Sequence, residues 1–161
     1  MMKLKINQKA PDLKLLDQDG KTHKLSDCKG KWVLVYFYPK DDTPGCTKEA
    51  CSIRDNWPDF KKLKLTVLGI SVDSVKSHDK FAAKYELPFT LLADEEKKVV
   101  KQYGVWAKKK FMGKEYMGTL RTSFLIDPAG KIAKIYEKVN PDGHAEEVLK
   151  DFKSFAGDNV A

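Results

Sequence analysis

Trp32-Val33-Leu34-Val35-Tyr36-Phe37-Tyr38 is an unbroken run of apolar and aromatic residues closed by Pro39. An exposed or half-exposed strand alternates apolar with polar residues. A run without alternation belongs to a strand covered on both faces, at the centre of a sheet. Pro39 cannot donate to a strand ladder, so the strand ends there. The run is far shorter than the roughly 20 residues needed to cross a bilayer as a helix.

The rest of the chain arranges itself around this strand. Upstream, Leu13-Lys14-Leu15 alternates, Asp19-Gly20 signals a tight turn and Thr22 to Leu25 follows, which predicts an N-terminal β-hairpin. Ser26 to Gly30 reads as a loop or short helix. Downstream, Thr47 to Phe60 has a helix composition, and Leu65 to Val72 is a second buried strand. Ser74 is placed to cap a helix over Val75 to Tyr85, which ends near Leu87-Pro88. Phe89 to Leu92 reads as a short strand, and Asp94 as the start of a helix reaching about Tyr103. Thr122 to Ile126 is a third strong strand, and Asp127-Pro128-Ala129-Gly130 turns it into Lys131 to Tyr136. Asp142 opens a closing helix through about Phe155, with frayed residues after it. Strands joined by helical crossovers imply a parallel core, and the late hairpin adds an antiparallel part. The expectation is one mixed α/β domain over residues 1–161, without repeats, linkers or low-complexity segments.

Composition narrows the classes of function. The chain has 161 residues, 42% hydrophobic and 33% charged, enough for one real core and far from a disordered composition. Its net charge of +7 is spread along the chain, with only short clusters at Lys97-Lys98 and Lys108-Lys109-Lys110. That distribution reads as a solvated lysine-rich surface and not as a nucleic-acid site. Met1 to Asn7 lacks the apolar segment of a secretory signal, so a cytoplasmic location is the default expectation. Three cysteines, Cys28, Cys46 and Cys51, do not make a secreted disulfide scaffold.

The chemistry concentrates in Tyr38-Pro39-Lys40-Asp41-Asp42-Thr43-Pro44-Gly45-Cys46-Thr47-Lys48-Glu49-Ala50-Cys51. This segment leaves the carboxyl end of the central strand, where open α/β sheets place their sites, and enters a helix. Cys46 therefore lies at or near a helix N-terminus, where free N–H groups and the dipole favour an anion such as a thiolate. Thr43 carries a hydroxyl able both to donate and to accept. Pro39 and Pro44 stiffen the loop and shield the sulfur from water. Residue by residue, an ordinary capped turn beside a buried cysteine would explain the same features.

As a whole, the segment is similar to the active-site motif of the peroxiredoxins, Pro-x-x-x-Thr-x-x-Cys, met here as Pro39, Thr43 and Cys46. The longer match, from Tyr36-Phe37-Tyr38-Pro39-Lys40 through Cys51-Ser52-Ile53-Arg54-Asp55, resembles the bacterioferritin comigratory protein subfamily, also called peroxiredoxin Q. Ala10-Pro11-Asp12 and Arg121-Thr122-Ser123-Phe124-Leu125-Ile126-Asp127 extend it over nearly the whole chain. The resemblance implies a thioredoxin-like fold, a central mixed sheet flanked by helices. It also implies a thiol-dependent peroxidase acting on hydrogen peroxide and organic hydroperoxides. Cys46 would attack the peroxide and become a sulfenic acid, Thr43 would bind the peroxide, and Pro39 would shield the thiolate. Arg121 would stabilise thiolate and peroxide through a guanidinium that keeps its proton. Glu49 either supports that arginine or is a solvated helix residue.

Cys51 follows Cys46 by five positions. On one intact helix their Cα atoms would stand roughly 8 to 9 Å apart, beyond the ~7 Å limit for a disulfide. Either Cys51 is a spectator or the helix start, Gly45 to about Ser52, unwinds after oxidation. The resemblance implies the second, with an intramolecular disulfide recycled by thioredoxin or a similar dithiol protein. Cys28 reads as a structural or incidental thiol. His23, His78 and His144 sit among polar neighbours and read as surface side chains. They and the cysteines show no paired spacing for a zinc site, and nothing points to a haem, flavin or metal cofactor. The alternative enzyme is a thioredoxin-type dithiol-disulfide oxidoreductase, but that chemistry usually relies on Cys-x-x-Cys. A monomer is expected, without nucleic-acid or membrane partners.

Overall fold

The computed structural model describes residues 4–156. The central run forms β3 (Trp32–Phe37), and its register accounts for the missing alternation. Leu34 and Tyr36 face one apolar cluster, while Val33, Val35 and Phe37 face a second on the other side of the sheet. Both sides are covered, so neither can be polar. β4 (Leu65–Ser71) lies parallel to β3 and β5 (Thr90–Ala93) parallel to β4. β8 (Thr122–Ile126) runs antiparallel on the other flank of β3 and pairs with β9 (Ile132–Tyr136). The N-terminal hairpin of β1 (Lys14–Asp17) and β2 (Thr22–Lys24) joins through β1 to β5. The mixed sheet thus has the order β2-β1-β5-β4-β3-β8-β9.

Among the described residues, five α-helices flank the sheet: α1 (Pro44–Asp55), α2 (Trp57–Lys62), α3 (Val75–Tyr85), α4 (Lys98–Gln102) and α5 (His144–Ala156). The helix expected over Thr47 to Phe60 begins earlier, at Pro44, and breaks at Asn56, where Pro58 in the next turn has no N–H to continue the ladder. Ser74 caps α3 as expected, its hydroxyl accepting from the Ser77 N–H at 3.1 Å. The helix expected from Asp94 starts only at Lys98, because the Asp94 carboxylate accepts from the N–H groups of Lys98 and Val100 and holds the intervening residues as a turn. The expected fraying after Phe155 falls largely outside the described residues.

A separate two-stranded ribbon, β6 (Trp106–Phe111) and β7 (Lys114–Thr119), was not expected from the sequence. Met112 and Gly113 form its two-residue turn, both with positive φ, 51° and 81°, as a tight hairpin turn demands. Its lysine-rich strands lack an apolar alternation strong enough to announce them. No helix among the described residues is long and apolar enough to cross a membrane.

Candidate active site

β3 delivers the chain to the sheet's carboxyl edge, and the loop from Tyr38 to Thr43 redirects it into α1. Thr43 is the N-cap in extended conformation, and Pro44 occupies the first helical position, where its missing N–H costs nothing. The helix's first bond runs from Thr47 N–H to the Thr43 carbonyl at 2.8 Å. The N–H groups of Gly45 and Cys46 precede that bond and have no helical carbonyl to reach. The first turn holds no acidic residue, so its positive dipole end is uncompensated at Cys46. Cys46 itself is 2% exposed and packs among Tyr36, Tyr38 and Ala50.

Arg121 comes to this sulfur from the residue before β8. One nitrogen, Nη2, lies 3.4 Å from Cys46 Sγ, and the other, Nη1, donates to Glu49 Oε1 at 2.8 Å. Burial works against the guanidinium charge, but Cys46 and Glu49 together hold Arg121 above the ordinary arginine value. Glu49 is buried beneath it, and that burial, opposed by Arg121, pushes its carboxyl up to about 7. The sequence left Glu49 open between network and solvent. Its position three residues after Cys46, on the same helix face, was the signal that could have placed it.

Gly45 makes this approach possible. A Cβ there would stand 2.9 Å from Arg121 Nη2 and 3.7 Å from Pro141. Lys109 of the ribbon also points toward the site: its ammonium donates to the Thr119 carbonyl at 3.1 Å, two residues before Arg121. Burial, and then the charge of Arg121, hold it below the usual lysine range, while Cys46 acts in the opposite direction. The sequence showed Lys109 only as part of a basic cluster, because nothing local marked the ribbon.

The loop is fastened from behind by α3. The Thr43 hydroxyl donates to the Lys40 carbonyl at 2.8 Å, which leaves its oxygen free to accept. Asp41 is buried and accepts from Tyr38 Oη at 2.6 Å and Ser77 Oγ at 2.8 Å, with His78 Nδ1 at 2.6 Å. Asp42, at φ 55°, accepts from Lys84 Nζ and Tyr85 Oη. Pro39 is half-buried at the loop's start. Ligand atoms of Asp41, Asp73 and His78 lie within 4.8 Å of one another, and these groups are engaged in hydrogen bonds with their neighbours.

Of the expectations for cysteines and histidines, the structure overturns two, those for His78 and His144. Cys46 and Cys51 are free thiols on one continuous helix, Cys51 half-buried, so the geometric obstacle to their bonding holds in this state. His78 and His144 are not surface residues: they are 0% and 1% exposed. His78 sits on the inner face of α3 with Phe81, its Nε2 2.9 Å from the Leu92 carbonyl. His144 lies at the start of α5, Nε2 2.8 Å from Ser123 Oγ and Nδ1 3.1 Å from Glu147, and burial drives it toward the neutral form. Polar sequence neighbours concealed both, because the neighbours lie on the outer helix faces. His23 does keep partial exposure, paired to Asp17 at 2.7 Å. Cys28 is half-buried against the second apolar cluster, and burial pushes its thiol up, in keeping with a structural residue.

Comparison with known proteins places this geometry. The AhpC/TSA family profile matches residues 6–135. A putative peroxiredoxin bcp of Coxiella burnetii is 53% identical over 148 residues, covering 92% of this chain and 98% of its own. Peroxiredoxin Bcp of Bacillus subtilis is 48% identical over 155 residues, covering 96% of this chain and 99% of its own. Among solved structures, the bacterioferritin comigratory protein of Xanthomonas campestris, described for alkyl peroxide reduction, superposes with a TM-score of 0.85 at 38% identity, over 90% of this chain and 92% of that one. A Cys-to-Ser variant of Xylella fastidiosa PrxQ reaches 0.91 at 35% identity, over 98% of this chain and 100% of that one. The mixed sheet and its flanking helices are therefore the thioredoxin-like fold of these proteins, and the chain belongs to the AhpC/TSA family and, within it, to the peroxiredoxins of the Bcp and Q type.

Proposed function

We propose that Cys46 is the peroxide-reducing thiol of a thiol-dependent peroxidase, and that Cys51 resolves the oxidised product. The observation that carries this reading is the Arg121 guanidinium spanning Cys46 Sγ at 3.4 Å and Glu49 at 2.8 Å. A fixed cation beside a sulfur at a helix N-terminus stabilises the thiolate that attack requires. The thiolate attacks one peroxide oxygen, the O–O bond breaks, and Cys46 becomes a sulfenic acid while the other oxygen leaves as hydroxide or alkoxide and takes up a proton. The Thr43 oxygen accepts from the peroxide O–H, and Arg121 donates to the oxygen on which charge develops. Pro39 keeps water from the thiolate.

Cys51 then attacks the sulfenic sulfur, expelling water and forming a disulfide. The first turns of α1, Gly45 to about Ser52, open for this step, since the intact helix holds the two Cα atoms roughly 8 to 9 Å apart. Helix ends open at low free-energy cost. A dithiol protein of the thioredoxin kind supplies the two electrons that restore both thiols. Substrates include organic hydroperoxides as well as hydrogen peroxide, and no metal or other cofactor takes part. The whole chain, residues 1–161, acts as one domain, as a monomer in the cytoplasm, without nucleic acid or membrane.

The test is peroxide consumption with a thioredoxin system, comparing wild type with Cys46→Ser and Cys51→Ser. Cys46→Ser abolishes turnover. Cys51→Ser reduces one equivalent of peroxide rapidly and then stalls. Continued cycling by Cys51→Ser would remove Cys51 from the resolving role, and turnover by Cys46→Ser would remove the peroxidase assignment from Cys46.

A further inference from the structure

The β6–β7 ribbon exposes large apolar side chains at and near its tip. Phe111 and Met112 at its tip are 67% and 88% exposed, and behind them Tyr116, on the face of Phe111, is 47% exposed, as is Met117 on the opposite face. Large apolar side chains gathered in one exposed place mark an interaction site more often than single scattered ones do. The ribbon is also basic, with Lys108, Lys109, Lys110 and Lys114 against Glu115 alone. Lys108 is within 3.8 Å of Glu115 on one face.

The root of the ribbon adjoins the candidate site: the Leu120 N–H donates to the Val105 carbonyl at 2.7 Å, and the next residue, Arg121, reaches Cys46 Sγ. The pairs Lys109↔Tyr116 and Phe111↔Lys114 share the inner face, opposite that of Lys108 and Glu115, because alternate residues of paired strands share a face. At the root, the Lys109 ammonium donates to the Thr119 carbonyl at 3.1 Å, two residues before Arg121. A partner resting against Phe111, Tyr116 and Lys114 therefore lies on the face that carries Lys109, next to the ribbon's root.

We propose that this inner face of the ribbon is the docking surface for the dithiol reductant, and that the reductant meets it with an acidic face bearing an apolar patch. The proposal rests on the peroxidase reading above. Each cycle of that reading brings a second macromolecule to within bonding distance of a sulfur on α1, beside the ribbon's root. A second copy of this chain is a poor occupant, since each carries a net charge of +7 and the ribbon is among its basic parts. An anionic bilayer would engage the tip, but it has no need of a ribbon rooted beside Arg121. An acidic protein gains from both the lysines and the apolar side chains, and such complementarity acts chiefly on the rate of encounter.

The experiment uses two variants of the full chain, Phe111→Ser/Met112→Ser and Lys114→Glu, with an acidic bacterial thioredoxin kept reduced by its reductase. Each is assayed with thioredoxin and, separately, with dithiothreitol. The expected result is a fall of about tenfold in kcat/KM for thioredoxin in the double variant. Lys114→Glu shows a smaller fall and a shallower salt dependence. Turnover with dithiothreitol and the rate of Cys46 oxidation stay at wild-type values in both. Unchanged thioredoxin kinetics overturn the docking proposal and leave the peroxidase reading standing. An equal loss with dithiothreitol also overturns it, by showing that the ribbon acts on the site itself. Binding of wild type, but not the double variant, to phosphatidylglycerol vesicles with unchanged thioredoxin kinetics reassigns the tip to a membrane surface. A wild-type protein inactive with both reductants sinks the peroxidase reading instead.

Discussion

Arg121 and Glu49 are joined through one guanidinium nitrogen at 2.8 Å, which aims the other nitrogen at Cys46 Sγ, 3.4 Å away. The carboxylate lies beneath the arginine on the same helix that presents the sulfur, so a change in α1 changes both ends of the bridge. The arrangement needs two donors at a fixed angle, which a lysine cannot supply.

Arg121→Ala therefore lowers the second-order rate of Cys46 oxidation by on the order of 100-fold, the usual cost of removing one electrostatic partner from a reacting centre. Arg121→Lys recovers little of it. Stopped-flow measurement with hydrogen peroxide, before any recycling step, reads this directly.

Gly45→Ala gives a milder loss by another route. The added Cβ would stand 2.9 Å from Arg121 Nη2, and the guanidinium cannot retreat without lengthening its contacts to Cys46 or Glu49. A drop of about tenfold in the same rate is expected, roughly 1.4 kcal/mol. The melting temperature should change little, because Ala is the better helix former.

Glu49 makes stability depend on pH in an unusual direction. Its carboxyl is raised by burial from 4.5 to about 7, so between those values the folded protein binds the extra proton. The stabilisation is complete below pH 4.5 and is lost as pH rises through about 7. Urea unfolding of the reduced protein, compared with Glu49→Gln across this window, should show a relative loss on the order of 3 kcal/mol in wild type with rising pH. Parallel curves for the two proteins would rule the effect out.

Oxidation should open the start of α1 only when Cys51 can respond. Amide exchange over Gly45 to Ser52 is expected to speed up after one equivalent of peroxide in wild type and to stay slow in Cys51→Ser. Equal exchange in the two oxidised proteins would separate unwinding from disulfide formation.

His78→Ala should destabilise the protein by about 2 kcal/mol, the cost of emptying a buried site and removing one of the hydrogen-bond partners of Asp41, which keeps Tyr38 and Ser77. Asp41 loses a 2.6 Å contact in the fully buried space beneath the loop that carries Thr43. Denaturant unfolding measures the stability, and a raised KM for peroxide would register the loosened loop.

Much of the fold was legible locally. The uninterrupted run from Trp32 to Phe37, the Ser74 cap, the Asp19-Gly20 turn and the turn after Ile126 each carry their signal within a few residues, and each stands where expected. The order of Pro39, Thr43 and Cys46 likewise follows from a strand ending and a helix beginning. Other features depended on distance along the chain. Arg121 is 75 residues from Cys46, and only the pairing of β8 with β3 brings its root beside the start of α1. His78 and His144 look polar among their neighbours, yet helical periodicity turns each inward, and only packing supplies Asp41 and Ser123 as partners. The ribbon lacked a pattern because its side chains are not sorted for a core. The sequence by itself determined the strands of the main sheet, the capped start of α3 and the passage from strand to helix around Cys46, because hydrophobic period and turn chemistry act over a few residues. How near Arg121, named only by resemblance, comes to the sulfur, whether Glu49 holds it or faces solvent, and where the ribbon's root stands were decided by tertiary structure, because charge and contact depend on separation in space.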